Sequence, residues 1–167
     1  MRVAVGLALL GMAAAPAPTD LTVNGIGPVR LGMTVQQVER ATGNRLVMSD
    51  PEDPSCAEGS PAKPGRQDMV YLFEHRRLAR ITVWEVKGQT LAPIRIGGIG
   101  VGGREADIRR RFPSARIRPH VYSGPNAHYV DIRMGNGRGF RFETLNGRVT
   151  VLHAGLYPSL EYVEGCL

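Results

Sequence analysis

Two stretches of this chain fall into register on one another, and that similarity constrains its fold more than any other feature of the sequence. GIGPVRLGMTVQQVERATGNRL begins at Gly25, and GIGVGGREADIRRRFPSARI begins at Gly98. With Gly32 set on Gly102, Val38 falls on Ile108 and Leu46 falls near Ile117. Self-similarity at a long period is the mark of a structural unit used more than once. Each copy reads as a short strand, a glycine turn and a helix of two to three turns. In the first copy Thr34 is placed to cap the helix, Val35, Val38 and Ala41 share one helical face, and Gly43 is placed to end it. In the second copy Ile108 and Phe112 supply the apolar face and Pro113 ends the helix.

The later parts of the two copies are alike as well. MVYLFEHRRLARITVWEV from Met69 and FRFETLNGRVTVLHAG from Phe140 both read as hairpins, with Phe73-Glu74 answering Phe142-Glu143. Asn146-Gly147 is a strong two-residue turn signal, because both central positions of that turn want positive φ; His75-Arg76-Arg77 is a weaker turn in the equivalent place. HYVDIRM, from His128 to Met134, alternates apolar and polar side chains and predicts a further strand before the Gly135-Asn136-Gly137 turn. Residues 49–68 are rich in Pro, Gly and Ser and predict a loop. The expected architecture is therefore α+β: two tandem helix-plus-antiparallel-sheet repeats, over 18–92 and 93–167, each burying one sheet face under its own helix.

Residues 1–17 fit an export signal. Arg2 is followed by an apolar run from Val3 to Leu10 and then by small residues offering cleavage after Ala13, Ala15 or Ala17. The run is too short to span a bilayer, and no cysteine stands near the cleavage region to carry a lipid. A free periplasmic or secreted protein is the expectation. Cys56 and Cys166 are the only cysteines. In an oxidising compartment they are expected to form a structural bridge, with an intermolecular link as the other option; no CxxC spacing supports a redox pair. Removing Arg2 leaves 20 basic against 15 acidic residues, a charge near +5 that permits attraction to acidic partners without demanding it. Only Lys63 and Lys87 are lysine, and an exported chain has little use for nucleic acid.

No catalytic signature emerges. His120 and His128 lie eight apart beside Tyr122 and Tyr129, and an acid/base or metal site can be drawn from them with Glu161 or Glu164, but spacings such as HExxH or HxH are missing. No GxSxG elbow accompanies the serines, and Cys166 is a nucleophile only if unpaired. The glycines from Gly97 to Gly103 lack the parallel βαβ setting of a dinucleotide site, so they read as turn residues. No metal and no cofactor are expected. Arg109, Arg110 and Arg111, with Arg104, Arg116 and Arg118, gather positive charge on and around the second helix, where arginine forks suit carboxylates and phosphates.

The repeated strand, then GMT or GGR, then a helix leading into an antiparallel sheet resembles the repeat of beta-lactamase inhibitory protein and of SmpA/OmlA-type outer-membrane lipoproteins. Together with PHVYSGPNAHYV and the terminal YVEGC it also resembles a group of uncharacterised secreted bacterial proteins. The resemblance implies a non-catalytic binding or inhibitory module with a concave sheet that presents aromatics to a macromolecule of the envelope or medium. Trp84, Tyr122 and Tyr129 are then the expected exposed anchors, and Arg109 and Arg110 a second binding surface. An envelope-associated assembly factor docking through the basic helix is the alternative, and a small hydrolase using His120 or His128 a distant one.

Overall fold

A computed structural model describes residues 19–63, 69–84 and 94–166. The segment read as an export signal lies outside them, as does the expected boundary near 90–93. In chain order the elements are β1 (Thr19–Thr22), β2 (Gly25–Ile26), β3 (Val29–Arg30), α1 (Val35–Thr42), β4 (Leu46–Met48), β5 (Cys56–Pro61), β6 (Met69–Glu74) and β7 (Arg77–Trp84). The second half adds β8 (Ile94–Arg95), α2 (Glu105–Arg111), β9 (Arg116–Pro119), β10 (Ala127–Arg133), β11 (Arg138–Leu145), β12 (Arg148–Leu156) and a 3-10 turn at Ser159–Glu161.

The helices end where local chemistry ends them. Thr34 Oγ1 accepts from Gln37 N, and the Gln37 side chain accepts from Thr34 N, which closes a capping box on α1; Gly43 ends it in the left-handed conformation. α1 buries Val38 and α2 buries Ile108. Each glycine turn that leads into a helix docks on the start of a long strand. Gly32 N donates to Leu78 O and Leu78 N to Met33 O, both at 2.8 Å, while Gly102 N donates to Val149 O at 2.8 Å and Val149 N to Gly103 O at 2.9 Å.

Two separate helix-plus-sheet repeats do not form. The described chain is mostly β, and an α+β label fits it only roughly. Eight strands make one antiparallel sheet in the order β4-β5-β6-β7-β12-β11-β10-β9, and β3-β2-β1-β8 make a second, smaller one. The cause is the pairing of β7 with β12, from Val151↔Trp84 to Gly155↔Arg80. Each long hairpin satisfies the other's open edge, so both halves share one sheet. The smaller sheet also crosses the halves, because β1 runs parallel to β8. Another departure is β5, which falls inside the segment 49–68 whose composition predicts a loop.

Alternation along the strands sorts side chains to two faces. Tyr71, Phe73, Ile81, Val83, Phe140, Phe142, Leu152 and Ala154 point to one face and form the core with Leu21, Ile26, Val38 and Ile108 from the small sheet and the helices. The opposite face carries Arg80, Thr82, Trp84, Tyr129, Asp131, Arg141, Glu143 and His153. Across its lower end runs the segment from Tyr157 to Cys166, whose Ser159 and Leu160 are fully buried. Gly139 makes room for it: a Cβ there would stand 2.8 Å from Cε2 of Tyr157. The Cys56–Cys166 disulfide, at 2.04 Å, fastens the far end of this strap to β5.

Candidate functional site: the strapped face of the large sheet

Strand register lays polar side chains across the second face in rows. One row runs Trp84, Val151, Glu143, Tyr129, Arg118, and the next runs Thr82, His153, Arg141, Asp131, Arg116. Side chains directly opposite one another on neighbouring strands sit about 5 Å apart, so each row is in contact along its length.

Glu143 is the centre of the first cluster. Its Oε1 accepts from His153 Nε2 at 3.0 Å and its Oε2 from His120 Nε2 at 3.3 Å. His120 Nδ1 accepts the backbone N–H groups of Tyr122 and Ser123, so the ring proton lies on Nε2, facing the carboxylate. On His153 the Nδ1 atom is 3.0 Å from Thr82 Oγ1, a hydroxyl that can donate to it. Burial alone would push the Glu143 carboxyl up, but the hydrogen bonds and charge of His153 and His120 outweigh it and hold it at about 2. His153 is itself lowered, first by burial and then by the nearby Arg80 and Arg141 charges. The cluster is thus an ionised carboxylate held between two imidazole rings.

A second cluster adjoins it. Asp131 accepts from Arg141 Nε at 2.7 Å and from Arg118 Nε and Nη2 at 2.9 and 2.7 Å. The Arg141 guanidinium lies 4.6 Å from the centre of the Tyr129 ring, on which His120 stacks at 4.4 Å. Glu161 of the strap bridges Arg118 and Arg133 at 3.4 and 3.1 Å. Buried Arg80 holds the strap from below, giving Nη1 to Ser159 O and Tyr162 O at 2.9 and 2.8 Å and Nη2 to Glu58 at 3.2 Å.

The expected anchors divide. Trp84 is 38% exposed and Tyr122 is 65% exposed, and both belong to this face. Tyr122 lies in the loop that follows His120, and its hydroxyl donates to Glu164 of the strap. Tyr129 is only 4% exposed and is sandwiched into the polar cluster, so it is not presented to a partner. Strand alternation explains the correction: position 129 points to the same face as 84, but the 120–124 loop folds back over it. Arg109 and Arg110 lie on α2, on the core side of the sheet, away from Trp84. Their charge is partly answered there, Arg109 by Glu105 at 3.0 Å and Arg110 by Asp107.

The two histidines suggested as one site are separated by the sheet. His120 faces the strap, whereas His128 Nδ1 meets Glu105 Oε2 of α2 at 2.8 Å, on the other side. Glu161 and Glu164 are engaged by arginines and by Tyr122, not by histidine. Among the described residues no group of His, Cys, Asp and Glu is arranged to hold a metal ion.

Arg80, Asp131, Arg141, Glu143 and His153, the residues that organise the face, do not stand out in the sequence. Their signal is the alternation in RITVW, YVDIR, FRFET and VLHAG, where apolar core-facing residues alternate with residues of the other face. That pattern ordinarily means a solvated sheet face, and here the strap and the 120–124 loop cover it. No protein-family model, curated protein or solved structure matches this chain, so the site stands on its own geometry.

Proposed function

We propose that this protein is a non-catalytic binding module of the periplasm or extracellular space, whose strapped sheet face engages another macromolecule and, where that partner is an enzyme, inhibits it. The observation that carries the reading is the placement of Trp84 and Tyr122. They are exposed on a face whose Tyr129, Asp131, Arg141, Glu143 and His153 are locked into two adjoining clusters. Trp and Tyr on a rigid support lose little conformational freedom when they bind, which is why they dominate binding energy at interfaces.

A catalytic reading is less well supported. Each nitrogen of His120 and His153 already has a partner, and Glu143 is held ionised by both rings. Neither of these two rings has a nitrogen left to meet a substrate. The compartment is supported by the disulfide, a bond that persists in oxidising surroundings. No helix among the described residues is long and apolar enough to cross a membrane.

The test is a cross-linking pull-down from envelope and secreted fractions, using disulfide-intact wild type, a Trp84→Ala/Tyr122→Ala variant and an Arg109→Ala/Arg110→Ala variant as baits. Loss of two aromatic anchors is expected to reduce capture by about tenfold or more, while the arginine variant captures normally. Capture that survives loss of the aromatics and fails with the arginine variant would move the binding surface to α2.

A further inference from the structure

On the core side of the sheet, away from Trp84 and Tyr122, a cleft of about 410 Å³ opens between the start of α1 and strands β4, β5 and β6. Its floor is apolar, made by Val35, Met48, Pro51, Ala57 and Phe73. Two charges of opposite sign line it, Asp53 and Arg76. No ion pair joins them, and among the described residues the Arg76 guanidinium has no acceptor at all. Arg76 is held in the left-handed region, φ 61°, next to His75 at φ 49°. Those two residues are the central positions of the tight turn that joins β6 to β7, so the hairpin itself sets Arg76 at the cleft. Asp53 is steadied by local hydrogen bonds: its Oδ1 accepts Ser55 N at 2.7 Å and Ser55 Oγ at 2.6 Å. Those bonds lower its pKa, so the carboxylate stays charged.

An apolar floor flanked by an unpaired cation and an anion that is in no ion pair among the described residues is complementary to a molecule carrying both charges and an apolar body. Pockets of a few hundred Å³ with an apolar lining and a few placed polar groups are the usual form of a small-ligand site. We propose that this cleft binds a free α-amino acid with a large apolar side chain, its carboxylate on Arg76, its ammonium on Asp53 and its side chain against Phe73 and Met48. Met48 supplies a polarisable sulfur that suits an aromatic ring. The apolar floor lies apart from the strapped face, because Met48, Ala57 and Phe73 point to the opposite side of the sheet from Trp84, while Asp53 also borders the end of the strap at Tyr162–Cys166.

The test is titration of isotope-labelled full-length protein with L-phenylalanine by NMR and calorimetry. N-acetyl-L-phenylalanine and L-phenylalaninamide, each lacking one charge, serve as comparison probes. Shifts are expected to cluster at 34–36, 48–57 and 73–76, and each blocked probe is expected to bind about tenfold more weakly, because each loses one charge-assisted hydrogen-bonding group. Arg76→Gln and Asp53→Asn should each weaken phenylalanine by a similar factor without lowering the melting temperature; the asparagine Oδ1 still accepts from Ser55. A spectrum unchanged at about 10 mM phenylalanine, where a site of millimolar affinity would be largely filled, overturns the proposal. Equal binding of the blocked probes also overturns it, because the two charges would then contribute nothing.

Discussion

Glu143 shows what a single residue does for this face. Its carboxyl titrates at about 2 in the fold, against 4.5 for a free side chain. A group lowered in this way adds stability that is fully present above about pH 4.5 and is lost as pH falls toward 2. His153 acts in the same direction over a higher window. Burial lowers its pKa below 6.5, so on acidification the unfolded chain takes up that proton first and stability begins to fall below pH 6.5. Urea unfolding followed from pH 7 to 3 should therefore show a continuous loss of stability. His153→Gln should flatten the upper part of the profile, and Glu143→Gln should cost about 2–3 kcal/mol at pH 7, with the gap closing toward pH 3. A flat wild-type profile would contradict this. Local residue chemistry was legible in the sequence: Thr34 caps α1, and Asn146-Gly147 makes its turn with φ of 50° and 72°. The Glu143 cluster was not, because its partners come from strands and loops set side by side only by the folded sheet.

At the scale of elements, the strap is the least expected piece. A segment that ends in YVEGC has no periodicity to announce that it will lie across a sheet, yet Arg80, Glu74 and the disulfide all hold it down. The Cys56–Cys166 link closes a sequence separation of 110 residues. Replacing both cysteines by serine should destabilise the protein by about 4–5 kcal/mol on the chain-entropy account and speed amide exchange across 157–166. A loss below about 1 kcal/mol would mean that the non-covalent contacts alone hold the strap. Arg80→Met separates these contributions. It leaves Glu58 without its partner and two strap carbonyls without a donor, and should cost about 3 kcal/mol with the disulfide intact. The pairing of the cysteines was legible, since no other cysteine competes. Strand β5 was hidden by its composition: Ala57, Gly59 and Pro61 are its inward residues, and Gly59 is small because the Met48 Sδ lies 2.6 Å from where a Cβ would stand.

For the whole molecule, the consequence of joining β7 to β12 is that the two halves lack independent cores. Leu152 and Ala154 of one half lie opposite Val83 and Ile81 of the other. Unfolding should be one cooperative event, with the fluorescence of the sole tryptophan, Trp84 at this seam, and far-UV circular dichroism following a single curve. Two resolved transitions would contradict a shared sheet. Similarity between Gly25–Leu46 and Gly98–Ile117 carried the local order of turn and helix. It could not carry which strands pair, since an open hairpin edge accepts any partner that covers it. Trp84 at 38% exposure should tolerate alanine with a stability change of about 1 kcal/mol or less, so loss of binding in such a variant reports on contact rather than on folding. The central claim, that the strapped face is the one that meets a partner, is tested most directly by placing photoreactive p-benzoylphenylalanine at position 84 and, in a second protein, at position 110. After irradiation with envelope and secreted fractions, the adducts are identified by mass spectrometry. A specific adduct from position 84 and none from position 110 is the predicted result; adducts confined to position 110 would contradict the claim and assign binding to α2.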